Sequence, residues 1–171
     1  MADRPKKVLV VDDDEAMREV LEMRLQGWGF DVCLAGDGLE GKKKAESYDP
    51  DIVISDVVMP QVSGMELLRD LKAGTPVRPI ILVTAQASID LAVDAMKQGA
   101  QDFVTKPIDY QKLKLILEAA EQEIELRRES RRITTQLDHG AGDRDHVQRQ
   151  TPLRHRPSSS RVAWPHSRSR S

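Results

Sequence analysis

The sequence DIVISDVVMP, at residues 51–60, decides the fold because it joins a short apolar run to a carboxylate. Ile52, Val53 and Ile54 form too short a run for a helix of their own. Their β-branched side chains are typical of a strand that is buried on both faces. Asp56 therefore lies at the carboxyl end of a predicted central strand. In an open α/β sheet ligands bind at that edge, so this acid either has a chemical role or needs a partner.

A second apolar run ends in acids in the same way. Residues 7–11 read KVLVV, and Asp12, Asp13 and Asp14 follow directly. Two strands that end in carboxylates at one sheet edge bring like charges together, and these charges need compensation to stay ionised. A hard divalent cation such as Mg²⁺, which prefers oxygen ligands, would supply it, and so would a lysine from elsewhere in the chain. The residues alone leave both possibilities open.

Short apolar runs alternate with helical patterns along the first 126 residues. This alternation predicts a doubly wound α/β domain of roughly 120 residues, with a parallel sheet and right-handed crossovers. The predicted strands cover residues 8–11, 30–35, 52–56, 79–83 and 102–105. The predicted helices cover residues 15–26 and 38–47 and three later stretches, and the inward-facing residues include Met17, Val20, Leu21, Leu25, Leu67, Leu68, Leu71, Leu91, Ala95, Met96, Leu113 and Leu117. Asp14, Ser88 and Asp109 are the predicted N-caps of the first, fourth and fifth helices.

Several polar residues come directly after predicted strands. The carboxyl ends of parallel strands meet at one edge, so the topology gathers these side chains although they are far apart in sequence. They are Asp12, Asp13, Asp56, Thr84 and Lys106.

The charge is distributed unevenly along the chain. Residues 1–126 contain 15 Lys and Arg against 24 Asp and Glu, whereas residues 127–171 contain 11 Arg against 4 acids. The single Cys33 excludes an intramolecular disulfide and a cysteine metal site. No signal peptide or membrane-spanning apolar run is visible, which favours a cytoplasmic protein without membrane contact.

Four motifs and one glycine identify a family resemblance. They are VDDD at 11–14, SDVVMP at 55–60, Gly64, VTA at 83–85 and KP at 106–107. Each is weak alone, but their order and their positions at strand ends are specific. Residues 6 to about 126 resemble the receiver domain of bacterial two-component response regulators. The stretch 84–107 and the composition of residues 109–137 most resemble the nitrogen-regulation (NtrC-like) subfamily. The resemblance implies a flavodoxin-like sheet with strand order 2-1-3-4-5 and five flanking helices.

The resemblance also assigns roles to residues. Asp56 would accept a phosphoryl group from a sensor histidine kinase, and Lys106 would contribute a positive charge. Such a protein is a switch that assists its own phosphotransfer and dephosphorylation rather than an enzyme with a separate substrate. The expected cofactor is Mg²⁺, held by Asp12, Asp13, Asp56 and the backbone carbonyl of Val58.

Thr84 and Phe103 correspond to the family's switch pair. If Thr84 follows the phosphoryl oxygens, Phe103 can fill the vacated volume and reshape the surface of the fourth helix, fifth strand and fifth helix. Taken alone, Thr84 is equally well a turn residue and Phe103 equally well a core aromatic. The isomer of the Lys106–Pro107 bond is not determined by the sequence.

Three other functions compete with this interpretation. A haloacid-dehalogenase-type phosphatase would need its nucleophile after the first strand and a cap insertion, for which the chain has no room. A flavodoxin-like nucleotide or flavin binder would need a Gly/Ser/Thr-rich phosphate loop where this chain has acids at 12–14. A receiver that acts only as an unphosphorylated interaction module would be indicated by loss of an acid or of the lysine, and none is lost.

Residues 127–137 continue the helical pattern as a linker extension, with loose heptad spacing that could support a homodimer. Residues 138–171 are rich in Arg, Ser and Pro and read as a disordered basic tail. In NtrC-like proteins an ATPase domain and a DNA-binding domain follow the linker, but no Gly-x-x-x-x-Gly-Lys phosphate loop follows residue 137. Nucleic-acid binding is therefore not expected of this chain.

Overall fold

Five parallel strands form one sheet in the order β2-β1-β3-β4-β5. The computed structural model describes the backbone of residues 4–140 and the side chains of residues 4–133. The sheet order confirms the predicted topology, in which β1 and β3 are neighbours at the centre. The strands are β1 Lys7–Val11, β2 Asp31–Ala35, β3 Ile52–Asp56, β4 Ile80–Thr84 and β5 Asp102–Thr105.

Helices alternate with these strands throughout the described residues. They are α1 Glu15–Gly27, α2 Gly38–Tyr48, α3 Gly64–Gly74, α4 Ile89–Lys97 and α5 Tyr110–Gly140. The last helix continues beyond Leu137, where the linker was predicted to end. The rest of the predicted tail, residues 141–171, lies outside the described residues.

Side-chain caps fix where the helices begin. Asp14 accepts hydrogen bonds from the backbone N–H groups of the first turn of α1, and Ser88 does the same for α4. Asp109 accepts from the N–H groups of Gln111 and Lys112 at the start of α5. All three caps were predicted, because a short polar side chain before an apolar-periodic run satisfies N–H groups that the helix itself cannot. The caps place the beginning of each helix immediately after the sheet edge.

The strand β3 is buried along its whole length between two layers of helices. On one face Ile52 and Ile54 pack with residues of α1 and α5, and on the other Val53 packs with residues of α2 and α3. The opposite faces follow from the two-residue period of a strand. Burial of this strand on both sides holds Asp56 at a fixed position at its end.

Two residues that were predicted to face the core are exposed instead. Val20 of α1 is 42% exposed and Met96 of α4 is 48% exposed. The core positions beside them are Leu21 and Ala95, each of which is almost fully buried. Successive residues of a helix point about 100° apart, so a narrow apolar stripe excludes the residue next to a buried one.

The predicted second strand also begins one residue too early. The backbone N–H of Phe30 donates to the carbonyl of Leu25 at 3.0 Å, which closes the turn after α1. The ladder with β1 starts at Asp31, paired with Lys7. A turn hydrogen bond thus competes with the ladder for Phe30.

Contacts divide the chain into two units, residues 1–125 and 126–171. The first contains the sheet and its flanking helices. The described part of the second is the C-terminal portion of α5, in which Leu126 and Ile133 are exposed. No described helix is long and apolar enough to cross a membrane.

We predict that Gly64→Ala destabilises the domain by about 2 kcal/mol or more, the range of overpacked sites. A Cβ at Gly64 would lie 2.2 Å from the carbonyl oxygen of Asp56 and 2.8 Å from the Cα of Val57. Both are backbone atoms, which cannot move away as a flexible side chain can. The control is Gly74→Ala at the other end of α3, where nothing lies within 4 Å of the added atom. Urea unfolding should show a large loss only for Gly64→Ala, and equal stabilities of the two variants would contradict this packing.

Candidate functional site

Three carboxylates meet at the carboxyl edge of the sheet. Asp12 and Asp13 follow β1, Asp56 ends the neighbouring β3, and one oxygen from each lies within 4.8 Å of the others. Asp12 and Asp56 are buried, whereas Asp13 is exposed. Clustered carboxylate oxygens are the donors that a hard divalent cation prefers, so the residues present fit Mg²⁺. The sheet topology brings these acids together as predicted.

Lys106 reaches the same cluster from the end of β5. Its Nζ lies 3.1 Å from Oδ2 of Asp12 and 3.2 Å from Oδ2 of Asp56. Its backbone N–H donates to the carbonyl of Thr84 at 2.8 Å, which extends the pairing of β4 with β5. The peptide bond between Lys106 and Pro107 is cis. A lysine therefore supplies part of the compensation that the acids require.

This compensation is incomplete at Asp56. Burial raises the pKa of the Asp56 carboxyl, the negative charge of Asp12 raises it further, and Lys106 only partly opposes the two. Burial alone would lower the pKa of Lys106, but its hydrogen bond to Asp12 and the charges of Asp12 and Asp56 outweigh burial and raise it. The lysine is therefore held in its charged form, while the ionised form of Asp56 is less favourable than that of a carboxyl in water. The cluster can accommodate more positive charge.

The second oxygen of Asp56 is held by the loop that follows β3. The backbone N–H of Val58 donates to Oδ1 of Asp56 at 3.3 Å, and the Val58 side chain is 52% exposed. The role of the Val58 carbonyl as a Mg²⁺ ligand stays a prediction. Both carboxylate oxygens of Asp56 thus have donors, and these fix the orientation of the group.

Thr84 and Phe103 lie on one face of the sheet beside this cluster. Thr84 ends β4, is fully buried, and accepts a hydrogen bond at Oγ1 from the N–H of Gln86 at 3.1 Å. Phe103 is paired with Leu82 across β4 and β5, and Thr84 with Thr105. Residues two apart on a strand point the same way, so Phe103 and Thr84 share a face. The Phe103 ring is only partly buried, and it packs against the core beneath α4.

Arg18 contacts the cluster although no sequence motif marks it. Its Nη1 donates to the main-chain oxygen of Asp12 at 2.6 Å. The only sequence signal is its position in the first turns of a helix that begins right after the acids. Such a position allows a long side chain to turn back over the loop.

Comparisons with known proteins agree with this architecture. Residues 8–118 match the sequence model of the family described as the response regulator receiver domain. The transcriptional regulatory protein ZraR of Klebsiella oxytoca is 41% identical over 113 residues, which are 66% of this chain and 26% of that protein. The DNA-binding transcriptional regulator NtrC of Escherichia coli K12 is 39% identical over 113 residues, which are 66% of this chain and 24% of that protein. The chain thus spans about a quarter of the length of these two relatives.

A solved structure shares the fold. The crystal structure of a response regulator receiver domain protein from Clostridium thermocellum superimposes with a TM-score of 0.68 at 32% sequence identity. The match covers 71% of this chain and 98% of that one. The resemblance to response-regulator receivers, drawn from the motifs, and to the NtrC-like subfamily, drawn from residues 84–107 and 109–137, is confirmed.

We predict that Asp56→Asn stabilises the protein at pH 7 in the presence of a metal chelator. Because folding raises the pKa of Asp56, the folded state holds this proton more tightly than the unfolded state does. Asp56 therefore favours folding below its ordinary pKa, and that contribution disappears as the pH rises through the raised value. The amide variant removes the unfavourable charge, so its advantage in urea unfolding should grow from acidic to neutral pH.

Asp70→Asn is the matched control. Asp70 is half-exposed and pairs with Lys42 on the surface, and an exposed pair of this kind contributes little to stability. If Asp56→Asn were no more stable than wild type at pH 7, the Asp56 carboxylate would not be electrostatically strained.

Proposed function

Because the chain belongs to the response regulator receiver domain family, we propose that it accepts a phosphoryl group from a sensor histidine kinase onto Asp56. The observation that carries this proposal is the position of Asp56, a buried carboxylate at the end of the central strand with an ammonium group 3.2 Å from one oxygen. Two further carboxylates, those of Asp12 and Asp13, lie beside it, so the site carries more negative charge than one lysine offsets. This is the environment in which an anionic nucleophile can approach an anionic phosphoryl group.

In the proposed reaction an oxygen of Asp56 attacks the phosphorus of a phosphohistidine. An O–P bond forms, the N–P bond breaks, and the departing imidazole nitrogen keeps the electron pair. Phosphoryl transfer needs mainly positioning and charge stabilisation. The Val58 N–H and the Lys106 ammonium fix the carboxylate, and Lys106 offsets charge on the phosphoryl oxygens.

The cation in this proposal is Mg²⁺, with Asp12, Asp13, Asp56 and the Val58 carbonyl as its protein ligands. When bound, it would neutralise charge and orient phosphoryl oxygens. The Asp12 carboxylate is already oriented in the structure. Lys106 contacts one of its two oxygens, Oδ2. The other, Oδ1, accepts the backbone N–H of Asp14 at 2.8 Å, which fixes the direction of the group.

Phosphorylation would act as a switch through Thr84 and Phe103. An aspartyl phosphate carries additional negative charge and strong acceptor oxygens, to which the Thr84 hydroxyl can donate. The hydroxyl oxygen now accepts from Gln86, so its own proton remains available for such a bond. Movement of Thr84 would open volume on the face that the Phe103 ring shares. The proposed output surface is that of α4, β5 and α5.

Exposed apolar side chains on α4 support this choice of surface. Ile89 is 82% exposed, Val93 46% and Met96 48%, and their spacing puts all three on one side of the helix. On α5, Leu115 is 65% exposed. We propose that a second copy of the chain covers this surface after phosphorylation. Farther along α5, the exposed Leu126 and Ile133 are seven residues apart and would add a helix-pairing seam.

We propose control of transcription as the output class, because relatives that share this domain are named as transcriptional regulators. Within that output the chain is a switch in the cytoplasm and not an enzyme for a separate substrate. The second candidate, an unphosphorylated interaction module, is less favoured. All three acids and the lysine of the site are present: oxygens of Asp12, Asp13 and Asp56 lie within 4.8 Å of one another, and Lys106 contacts Asp12 and Asp56.

We predict that phosphoramidate adds one phosphoryl group to the wild type only when Mg²⁺ is present, and that Asp56→Asn abolishes the adduct. Asp56 supplies the nucleophilic oxygen, and the cation offsets the repulsion between two anions. Intact mass spectrometry measures the adduct directly.

Asp70→Asn, which changes an aspartate outside the site, should be phosphorylated like wild type. An adduct that persists in Asp56→Asn would place the acceptor elsewhere. Absence of any adduct in the wild type would favour the interaction module.

We predict that phosphorylation shifts the protein from monomer to dimer, and that Ile89→Ser with Val93→Ser weakens dimerisation at least about tenfold. Two exposed apolar anchors on α4 would be lost, each worth on the order of 1 kcal/mol in an interface. Sedimentation velocity of phosphorylated and untreated samples measures the dissociation constant.

The control is Met23→Ser, because Met23 is 72% exposed but belongs to α1. The proposed surface would be wrong if Met23→Ser weakened the dimer as much as the α4 variant. It would also be wrong if the phosphorylated protein still sedimented as a monomer.

A further inference from the structure

Arg18 is tied to the acidic cluster through the backbone and not through a carboxylate. Its own N–H donates to the carbonyl of Asp14 within α1, while its side chain turns back so that Nη1 lies 2.6 Å from the main-chain oxygen of Asp12. That oxygen belongs to the peptide group that links Asp12 to Asp13. The orientation of this peptide group sets how the two Cα atoms from which the Asp12 and Asp13 side chains extend are placed relative to each other.

The other polar atoms of Asp12 have separate partners. Its N–H donates to Ala35 at 3.1 Å, its Oδ1 accepts from Asp14, and its Oδ2 accepts from Lys106. The Arg18 contact therefore holds the side of the Asp12 backbone that faces Asp13. Asp13 itself is exposed.

A guanidinium beside a cation site would be expected to repel the cation, but an acid faces this one. Glu40 accepts the N–H of Gly36 through Oε2 at 3.3 Å. A Cβ placed on Gly36 would lie 3.4 Å from Nη1 of Arg18 and 3.8 Å from that same Glu40 oxygen. Glu40 thus lies near the guanidinium and offsets a small part of its charge, while its own ion pair is with Lys44 at 2.8 Å. The pKa of Glu40 is lowered, first by its hydrogen bond with Lys44 and to a smaller extent by the charge of Arg18.

We propose that Arg18 is a positioning residue for the divalent cation: it fixes the peptide between Asp12 and Asp13 so that both carboxylates are presented together. This rests on the proposed function, in which those acids hold Mg²⁺. Residues that orient ligands without touching the metal usually have large effects on metal affinity. Arg18 acts in this way through a backbone carbonyl, with its own charge partly balanced by Glu40.

The test is a calorimetric titration with Mg²⁺ alone, without any phosphoryl donor. We expect Arg18→Ala to weaken Mg²⁺ binding about tenfold. Arg18→Lys, which keeps a donor for the Asp12 carbonyl, should recover part of the loss. Arg24→Ala is the matched control, because it removes the same charge from the same helix but breaks only the stacking of Arg24 on the Tyr110 ring at 4.6 Å.

Phosphorylation by phosphoramidate provides a second readout. For Arg18→Ala the Mg²⁺ concentration at half-maximal rate should rise about tenfold, while the rate at saturating Mg²⁺ stays near that of wild type. A merely structural role would not separate these two quantities. If Arg18→Ala does not fold, Arg18→Met, which keeps a long side chain but has no donor, replaces it and should show the same loss of Mg²⁺ binding relative to Arg18→Lys.

Three results would overturn the proposal. Mg²⁺ binding that is unchanged or tighter in Arg18→Ala would show that the contact does not position the acids, or that charge repulsion dominates. If Arg24→Ala lost as much Mg²⁺ affinity as Arg18→Ala, the loss would reflect a general destabilisation of α1 and not the contact with Asp12. If the wild type neither binds Mg²⁺ nor forms the adduct, the proposed function itself is wrong. If the wild type does both, a failure of the Arg18 variants to behave as expected counts against the role of Arg18 alone.

Discussion

The structure depends on one electrostatic constraint, the contact of a single ammonium group with two buried carboxylates. Lys106 lies within 3.2 Å of both Asp12 and Asp56, which end neighbouring strands. These groups are 94 and 50 residues from the lysine in sequence, and only the parallel sheet brings them to one edge. Removal of the lysine would leave buried like charges uncompensated, and such an arrangement is strongly unfavourable. The strand order therefore creates the site, and the ion pairs of the site in turn favour this arrangement of the strand ends.

The sequence was sufficient to predict the strands and the meeting of Asp12, Asp56 and Lys106 at one sheet edge, because local signals indicate the strands and the family resemblance supplied their order. The run from Ile52 to Ile54 is too short and too β-branched for anything but a buried strand, and Asp14 and Ser88 are strong helix caps. Once the alternation of strands and helices is known, topology alone places Asp12, Asp56 and Lys106 together. No side-chain geometry is needed for that step.

The features that escaped prediction depend on angles and long side chains. Val20 and Met96 are apolar residues next to buried ones, and a difference of one position around a helix decides whether they are covered. The contact of Arg18 with the Asp12 carbonyl depends on the path of a flexible side chain over a loop. The Lys106–Pro107 bond is cis, an isomer that the sequence left open. Periodicity and motif spacing carry no information about any of these.

The same lysine also gives the site a physical route to the proposed switch. Its Nζ contacts Asp56, and its backbone N–H bonds to the carbonyl of Thr84, so one residue joins the charged cluster to the end of β4. A phosphoryl group on Asp56 would change the charge that Lys106 faces and would offer the Thr84 hydroxyl a stronger acceptor than its present surroundings. Both changes act on β4 and β5, the strand pair that carries Phe103. Because burial and the charge of Asp12 raise the pKa of Asp56, its ionised form is less favourable in the folded protein than in water, and a bound cation would be stabilising at that position. Occupancy of the site therefore changes the charge balance at the ends of β1 and β3, next to the strand pair that carries Thr84 and Phe103.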